Sequence, residues 1–390
     1  MNILQIAYVF PPFLNVADGI THAAYQISSE LVKRGHEVVV YTSDALDVHS
    51  NARINEVGSA TTINGVSVYY FRSMLKWGTL IVTPSIIPLL QENLNRFDVI
   101  HVHSCISFQG FLTSLFAKKN KATYVLQAHG SVPRSQQRTI KYFYDRLFSF
   151  HMLRSASRVI ALSQTEAEQC RNIGIPDERI EIIPNGIDLS EYANLPPKGS
   201  FRKKFCIGHD EKIILYLGRI HKVKGIDILV EAFADVLEML QGVKLVIIGP
   251  DDGYLGEIER LIRVLKIKDN VLMLGPLYGT DKLEAYIDAD VYVLPSRYET
   301  FPMSVLEAVA CGTPVILTEN CSVKEYFRDK VGLVVDPDSE NLSQALLEIL
   351  LNKRKQNTFR ASSKTVIKRF NISETVSELE KVYEQIANIS

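Results

Sequence analysis

The 390-residue chain is sparing with cysteine: Cys105, Cys170, Cys206, Cys311 and Cys321 are scattered, odd in number, and form no Cys-x-x-Cys. That spacing argues against a disulfide framework and against a zinc ribbon, and suits buried thiols in a reducing cytosol. Net charge is also nearly absent, at −1, which excludes a protein built around nucleic acid, because phosphate-backbone binders are basic overall. Long apolar runs are missing as well. The longest, Leu80–Leu90, contains two prolines and falls short of the ~18 residues that a membrane span needs. The N-terminus, MNILQIAYVF, has no basic flank and reads as a first strand rather than a signal peptide. There is no short-period repeat and no low-complexity segment. These absences predict a soluble cytoplasmic protein that can still rest on a membrane surface.

What is present is an alternation. The length predicts two domains, and 46% apolar residues supply their cores. Strands are expected at Ile3–Val9, Glu37–Thr42, Val66–Phe71, Val99–Val102, Tyr124–Gln127 and Arg158–Ala161. A second set is expected at Lys212–Leu217, Lys244–Ile248, Val271–Leu274, Val291–Leu294, Pro314–Leu317 and Gly332–Val335. These runs are apolar on both faces and separated by helical patterns, the signature of parallel sheets covered on both sides. Between the sets, residues 185–200 are rich in Gly, Pro and Ser and read as a hinge. The expected architecture is α/β, with two doubly wound, Rossmann-like domains facing across a cleft and ligands at the carboxyl ends of the strands.

Four stretches carry candidate chemistry. SRYETFPMSVLEAVA, residues 296–310, holds Glu299 and Glu307 with seven residues between them. Pro302 suits the first turn of a helix and Gly312 with Pro314 its end, so a short helix is predicted over about 302–311. Its first N–H groups would attract a phosphate. Glu307, among apolar neighbours, needs donors; a ribose diol supplies two, and a nearby Lys or Arg is the structural alternative. In LYLGRIHKVKGIDILVEAF, residues 215–233, Arg219 and Lys224 fall at a sheet's carboxyl edge. Two cations there can hold a diphosphate or form a solvated basic loop. In residues 11–38 a strand leads through Gly19 into a helix whose inward face is Ile20, Ala24, Ile27 and Leu31, without a Gly-x-Gly-x-x-Gly. In YVLQAHGS, residues 124–131, His129 follows a strand and is placed either to hydrogen-bond a substrate or to serve a structural role.

Two other patterns are set aside. His101 and His103 share one face of a strand, but no carboxylate or cysteine set accompanies them at ligand spacing, so no metal site is assigned. Asp288-Ala-Asp290 precedes its strand and so lies at the wrong end of the sheet for a donor-bound metal.

In order along nearly the whole chain, PPFLNVADGI, RGHEVVVYTS, FDVIHVHS, QAHG, SRVIALSQTEAE, ERIEIIPNGIDLSEY, YLGRIHKVKGIDIL, VIIGPDDG, VLMLGPLY, DADVYVLPSRYETFPMSVLEA and CGTPVI together resemble the retaining family 4 glycosyltransferases (glycosyl transferases group 1) of GT-B fold. The resemblance implies an N-terminal acceptor-side domain over residues 1–187 and a C-terminal nucleotide-sugar domain over 188–370, with the tail, 371–390, packing back on the first. It implies that Glu299 binds donor-sugar hydroxyls and Glu307 the ribose, and that Arg219 and Lys224 neutralise the diphosphate. It implies that His129 contacts the sugar near C6, that Gly19 lets its loop approach the phosphates, and that Gly275 to Leu277 contact the base. Two departures stand out: Thr300 and Pro302 where the family often has Gly, and Asp18-Gly19 where two glycines are common. Pro302 has no N–H, so that contact falls to Phe301, Met303 or Ser304.

The implied activity is metal-independent transfer, with retention, of a hexosyl or N-acetylhexosaminyl group. The donor is a UDP- or GDP-sugar, the acceptor a glycan, glycolipid or lipid-linked glycan, and no further cofactor is used. The alternative enzyme is a GT-B nucleotide-sugar epimerase, which needs an acid and a base near C2; a non-catalytic nucleotide-binding module would not need both Glu299 and His129. Between Thr113 and Arg158 stand nine cations (Lys118, Lys119, Lys121, Arg134, Arg138, Lys141, Arg146, Arg154, Arg158) against Asp145 alone, interleaved with Tyr142, Phe143, Tyr144, Phe148 and Phe150. This is either an amphipathic surface for an anionic membrane or a helix with one solvated basic face.

Overall fold

A computed structural model describes residues 1–10, 19–48, 51–78, 80–133 and 148–387. It divides into two units: residues 1–186 with 372–390, and residues 187–371.

The first unit is built on an eight-stranded sheet. Its strands are β1 (Asn2–Ile6), β2 (Glu37–Ser43), β3 (Ala60–Ile63), β4 (Val66–Phe71), β7 (Val99–His103), β8 (Tyr124–Gln127), β9 (Arg158–Ala161) and β10 (Ile180–Ile182). β5 (Leu75–Trp77) and β6 (Leu80–Val82) form a separate ribbon. The sheet order is β10-β9-β8-β7-β1-β2-β4-β3. Every pairing is parallel except β3 with β4. The chain therefore winds outward from β1 in one direction and from β7 in the other, and the order reverses between them. β1 stops three residues earlier than its apolar run implies; Tyr8, Val9 and Phe10 stay buried beyond the strand. One apolar layer joins Ile27 and Leu31 of helix Gly19–Lys33 to Val376, Leu379 and Tyr383 of helix Ile372–Ala387. Arg34 adds an ion pair and His36 a hydrogen bond to Glu380, at 2.7 and 2.8 Å. The residues expected to line the first loop, 11–18, and the centre of the basic stretch (Arg134, Arg138, Lys141, Tyr142, Phe143, Tyr144, Asp145 and Arg146) lie outside the described residues.

The second unit carries six strands, all parallel: β11 (Lys212–Leu217), β12 (Val243–Ile248), β13 (Val271–Leu274), β14 (Val291–Leu294), β15 (Val315–Thr318) and β16 (Gly332–Val335). Their order, β13-β12-β11-β14-β15-β16, reverses between β11 and β14. In open α/β sheets the ligand crevice opens outside the carboxyl ends at such a reversal. The core is apolar on both faces: Ile213 to Tyr216, Leu245 to Ile248 and Val291 to Leu294 are all at or below 1% exposure, which is why these runs do not alternate in polarity. Asp288 and Asp290 sit at the opposite, amino-terminal edge. Asp288 accepts N–H bonds from Gly199 and Arg202 at 2.5 and 3.0 Å, and Asp290 accepts from Ile213 at 2.9 Å. Both carboxylates are structural.

Candidate active site

The loop after β11 and the loop after β14 are drawn together by backbone. Gly225, at φ +68°, lies so near Pro295 that a Cβ would stand 2.0 Å from the Pro295 carbonyl oxygen. Only glycine combines that close approach with a left-handed backbone at little cost. Arg297 N–H donates to the Val223 carbonyl at 2.8 Å, and the Arg297 guanidinium grips Asp227 with two bonds of 2.7 Å. From the other side, Glu299 N–H donates to Asn320 O at 3.1 Å and Glu299 O accepts from Ser322 N–H at 2.9 Å. The loops after β11, β14 and β15 thereby fix one point.

At that point Lys224 Nζ reaches Glu299 Oε2 at 2.5 Å, with both side chains mostly buried. Arg219 lies on the same edge; its Nη1 donates to Asp252 Oδ2 at 2.5 Å and its side chain is 37% exposed. Asp252 is in turn tied to this loop, its N–H donating to Ile220 O at 3.1 Å. Each cation has thus a fixed carboxylate and spare donors: Lys224 has three N–H bonds and Arg219 five. Such pairs hold the cationic heads in place while leaving N–H groups for an anion.

The helix after β14 spans Met303–Ala310. Pro302 precedes it with extended backbone, at φ −82° and ψ 109°, so it stands one position before the first turn rather than in it. Phe301 is buried against Phe370, with ring centres 6.2 Å apart. Met303 and Ser304 are half-buried, and Ser304 Oγ is 2.7 Å from the Tyr292 hydroxyl. Gly275 is exposed and Leu277 half-buried, just past β13.

Glu307 has partners within its own domain: Lys282 Nζ at 2.8 Å and the Tyr286 hydroxyl at 3.0 Å. The structural ion pair considered from the sequence is therefore present. Lys282 comes from helix Gly279–Asp288, and no local pattern marked it. Burial, then the Glu307 charge, push the Tyr286 phenol well above its ordinary pKa, so it stays a donor. Burial likewise pushes the Cys311 and Cys321 thiols up to about 12, which leaves neither as a thiolate nucleophile near neutral pH.

The first domain holds Gly19, exposed at the start of its helix, and His129. His129 lies two residues beyond β8 in the left-handed region, at φ 52°, a conformation that costs a non-glycine residue on the order of 1–3 kcal/mol. Glu166 holds the turn: its buried carboxylate accepts N–H bonds from Gly130 at 2.5 Å and Leu162 at 2.7 Å. Sequence reasoning gave Glu166 no role, although its Ser163-x-x-Glu166 spacing is that of a helix capping box, and Ser163 does cap that helix. The ring of His129 stacks on His103, and His103 on His101, with centres 5.3 and 4.3 Å apart. Burial drives all three imidazoles to low pKa, His103 to about 3, so the stack is uncharged. Among the described residues, no group of three or more His, Cys, Asp or Glu side chains is arranged to hold a metal ion.

Comparison with known proteins places this geometry in a family. Residues 198–366 match the family model described as Glycosyl transferases group 1, and residues 17–191 match Glycosyltransferase Family 4. The chain is 29% identical over 352 residues to an uncharacterized glycosyltransferase of Methanocaldococcus jannaschii, covering 86% of this chain and 85% of that one. It is 25% identical over 390 residues to the phosphatidyl-myo-inositol mannosyltransferase of Mycobacterium leprae, covering 98% and 97%. The solved structure of Anabaena HepE in complex with UDP-glucose superposes with a TM-score of 0.79 at 17% identity, over 99% of this chain and all of that one. The protein is a glycosyltransferase of the group 1, family 4 class, with the GT-B fold.

Proposed function

We propose that the protein is a retaining glycosyltransferase that moves a hexosyl or N-acetylhexosaminyl group from a UDP- or GDP-sugar to a glycan, glycolipid or lipid-linked acceptor. The observation that carries this reading is the meeting of Lys224 with Glu299, beside Arg219, at the reversal point of the second sheet. The C1–O bond of the donor breaks through an oxocarbenium-like state while the diphosphate gains negative charge. Arg219, Lys224 and the first turn of helix Met303–Ala310 stabilise that charge, each contact contributing ~2–4 kcal/mol. Glu299 accepts from sugar hydroxyls, Glu307 from the ribose, and Gly275 to Leu277 pack on the base. His129 and Gly19 serve the sugar and phosphates from the first domain. The cations take the place of a metal, and the leaving phosphate oxygen accepts the acceptor's proton, which gives front-face substitution with retention.

A nucleotide donor is supported by HepE, solved with UDP-glucose, and a lipid-borne acceptor by the mannosyltransferase relative. Peripheral contact with an anionic membrane on its cytoplasmic side fits the basic stretch and the exposed Met74, Leu75 and Trp77. No helix among the described residues is long and apolar enough to cross a membrane.

A thermal-shift panel of UDP, GDP and ADP tests the donor: a nucleotide at one hundred times its dissociation constant stabilises by ~2.7 kcal/mol, and no shift with any of them overturns the reading. Incubation with the chosen nucleotide sugar alone should give slow hydrolysis with the freed sugar in the donor's anomeric form. Formation of a C2 epimer would show the epimerase instead. EDTA should leave turnover intact; its abolition with rescue by manganese overturns the metal-free mechanism.

A further inference from the structure

Two side chains from adjacent strands run in a line behind His129, the proposed sugar contact, which lies just past β8. Gln5 of β1 and His103 of β7 are both fully buried, and His103 Nε2 is 2.7 Å from Gln5 Oε1. On the opposite side of the same ring, His103 Nδ1 is 3.0 Å from His129 Nε2. An amide oxygen only accepts, so the His103 proton sits on Nε2. A neutral imidazole carries one ring proton, so His103 Nδ1 is a lone pair. The His129 Nε2 that faces it must then be the donor. That leaves His129 Nδ1 as a bare acceptor, buried and with no partner among the described residues.

We propose that Gln5 and His103 are positioning residues that fix the tautomer of His129, so that it offers the donor sugar a neutral hydrogen-bond acceptor at Nδ1. The inference rests on the reading that His129 touches the sugar. It deepens that reading in one respect: the group recognised there is a hydroxyl. A hydroxyl has a proton to give, whereas a carboxylate would set lone pair against lone pair. It also excludes His129 as a general acid, because its only ring proton is spent on His103. Uncharged rings are required throughout, since a proton on His103 Nδ1 would face the Nε2–H of His129, donor against donor. The burial of the stack, with His101 on the far side bonded through Nδ1 to the Tyr383 hydroxyl at 2.7 Å, keeps the rings in that state.

The test is long-range ¹H–¹⁵N correlation on the full chain labelled at its nine histidines, with His103→Gln and His129→Asn spectra for assignment. Both His103 and His129 should show protonated Nε2 and bare Nδ1 at pH 7; a protonated Nδ1 on either ring overturns the proposal, even if every variant were to fail to fold. Kinetics of UDP-glucose or GDP-mannose hydrolysis, whichever the nucleotide panel selects, supply the second arm. His103→Leu should lower kcat/KM by ~10–100-fold, the loss of an oriented hydrogen bond to substrate, and mix the His129 tautomers. His103→Gln, whose amide oxygen can accept from His129 while its N–H donates to Gln5, should stay within about threefold and keep the tautomer. Unchanged kinetics in His103→Leu while His129→Ala is inactive would break the relay alone. Wild-type turnover in His129→Ala would remove the sugar contact itself, and the inference with it.

Discussion

The two domains wind their sheets in the same way and furnish their reversal points in opposite ways. The second domain sets charge there: Lys224 against Glu299, Arg219 against Asp252, Arg297 against Asp227. The first domain sets a row of three uncharged imidazoles that ends at His129, and a buried glutamate that serves backbone N–H groups. Fixed cation–carboxylate pairs keep cationic heads oriented toward an anion, at the cost of desolvating both partners. Neutral rings suit a group that bears hydroxyls and no charge. On the proposed reading, the contrast between the diphosphate contacts and the sugar contact lies in protonation states rather than in topology.

Lys224→Ala attacks the charged side and should produce the largest effect. Transfer is expected to fall by ~10²–10³, with some loss of stability because Glu299, mostly buried, loses its partner. Steady-state kinetics beside a melting curve separate the two. Turnover close to wild type would mean that the cations of the second domain are only structural, and the contrast would collapse.

Glu307→Leu sharpens the same side. Lys282 and Tyr286 already hold this carboxylate, yet two acceptor oxygens can serve a ribose and hold a lysine at once. Lys282, 23% exposed, can turn to water; the Tyr286 hydroxyl is buried and cannot. Stability is expected to fall by ~1–3 kcal/mol, the cost of one stranded donor, and nucleotide affinity by ~10–100-fold. A drop in melting temperature with unchanged affinity would leave Glu299 as the only ligand-binding glutamate.

How far the sequence reaches is clear from these same residues. Strands such as Lys212–Leu217 and Val291–Leu294 were legible to the residue, because a strand buried on both faces must be a continuous apolar run. The antiparallel edge strand β3 was not anticipated, although the Asn64-Gly65 turn that joins it to β4, with both residues at positive φ, is a hairpin signal. Short strands such as β5 and β6, three residues each, carry too little periodicity to find. The site divides similarly. Arg219, Lys224 and Glu299 stood out by their place after strands. Their pairings did not: Lys224 meets Glu299 across 75 residues of sequence, and Lys282 meets Glu307 across 25. Such contacts follow from sheet order, which no local pattern states.

Acidification should separate the domains more gently. Burial lowers the folded pKa of His101, His103 and His129 below the ordinary 6.5, His103 to about 3. Between those values the unfolded chain binds protons that the folded chain refuses, so stability is full above about pH 6.5 and declines as pH falls below it. For His103 alone the loss at pH 5 is about 2 kcal/mol. In the second domain, burial pushes the Asp227 carboxyl up, but the Arg297 fork outweighs it and holds the carboxyl below its usual value; Lys324 and then Arg328 do the same for Glu319. Those contributions persist until pH falls below about 4. Hydrogen exchange read domain by domain at pH 7.5 and 5.0 should therefore show β1, β7 and β8 opening more readily at the lower pH while β11 and β14 change little. Equal loosening of both sheets would erase the distinction.

The smallest expected effect concerns surfaces. The second domain's exposed large apolar residues are spread out, at Leu195, Met239, Val264, Tyr278 and Leu351; the first domain gathers Met74, Leu75 and Trp77 within four positions at its two-stranded ribbon. β6 of that ribbon is tied to helix Phe108–Asn120 through Gln109, which donates to the Ile81 carbonyl at 3.1 Å and to Thr83 at 3.0 Å. The same helix carries Lys118 and Lys119. Exposed apolar residues and cations carried by one domain suit an anionic bilayer, where each Lys or Arg near the surface contributes ~1 kcal/mol that salt screens. Trp77 is the chain's single tryptophan, so its emission reports this ribbon alone. Titration with vesicles containing anionic lipid should shift the emission to the blue, neutral vesicles should not, and salt should reverse the shift. Arg138→Glu with Lys141→Glu should weaken binding by about tenfold or more, the loss of two such contacts set against repulsion from two new anions. A blue shift of equal size with neutral vesicles would assign the ribbon to apolar insertion without the basic stretch; no shift with either would leave the basic face as a solvated surface.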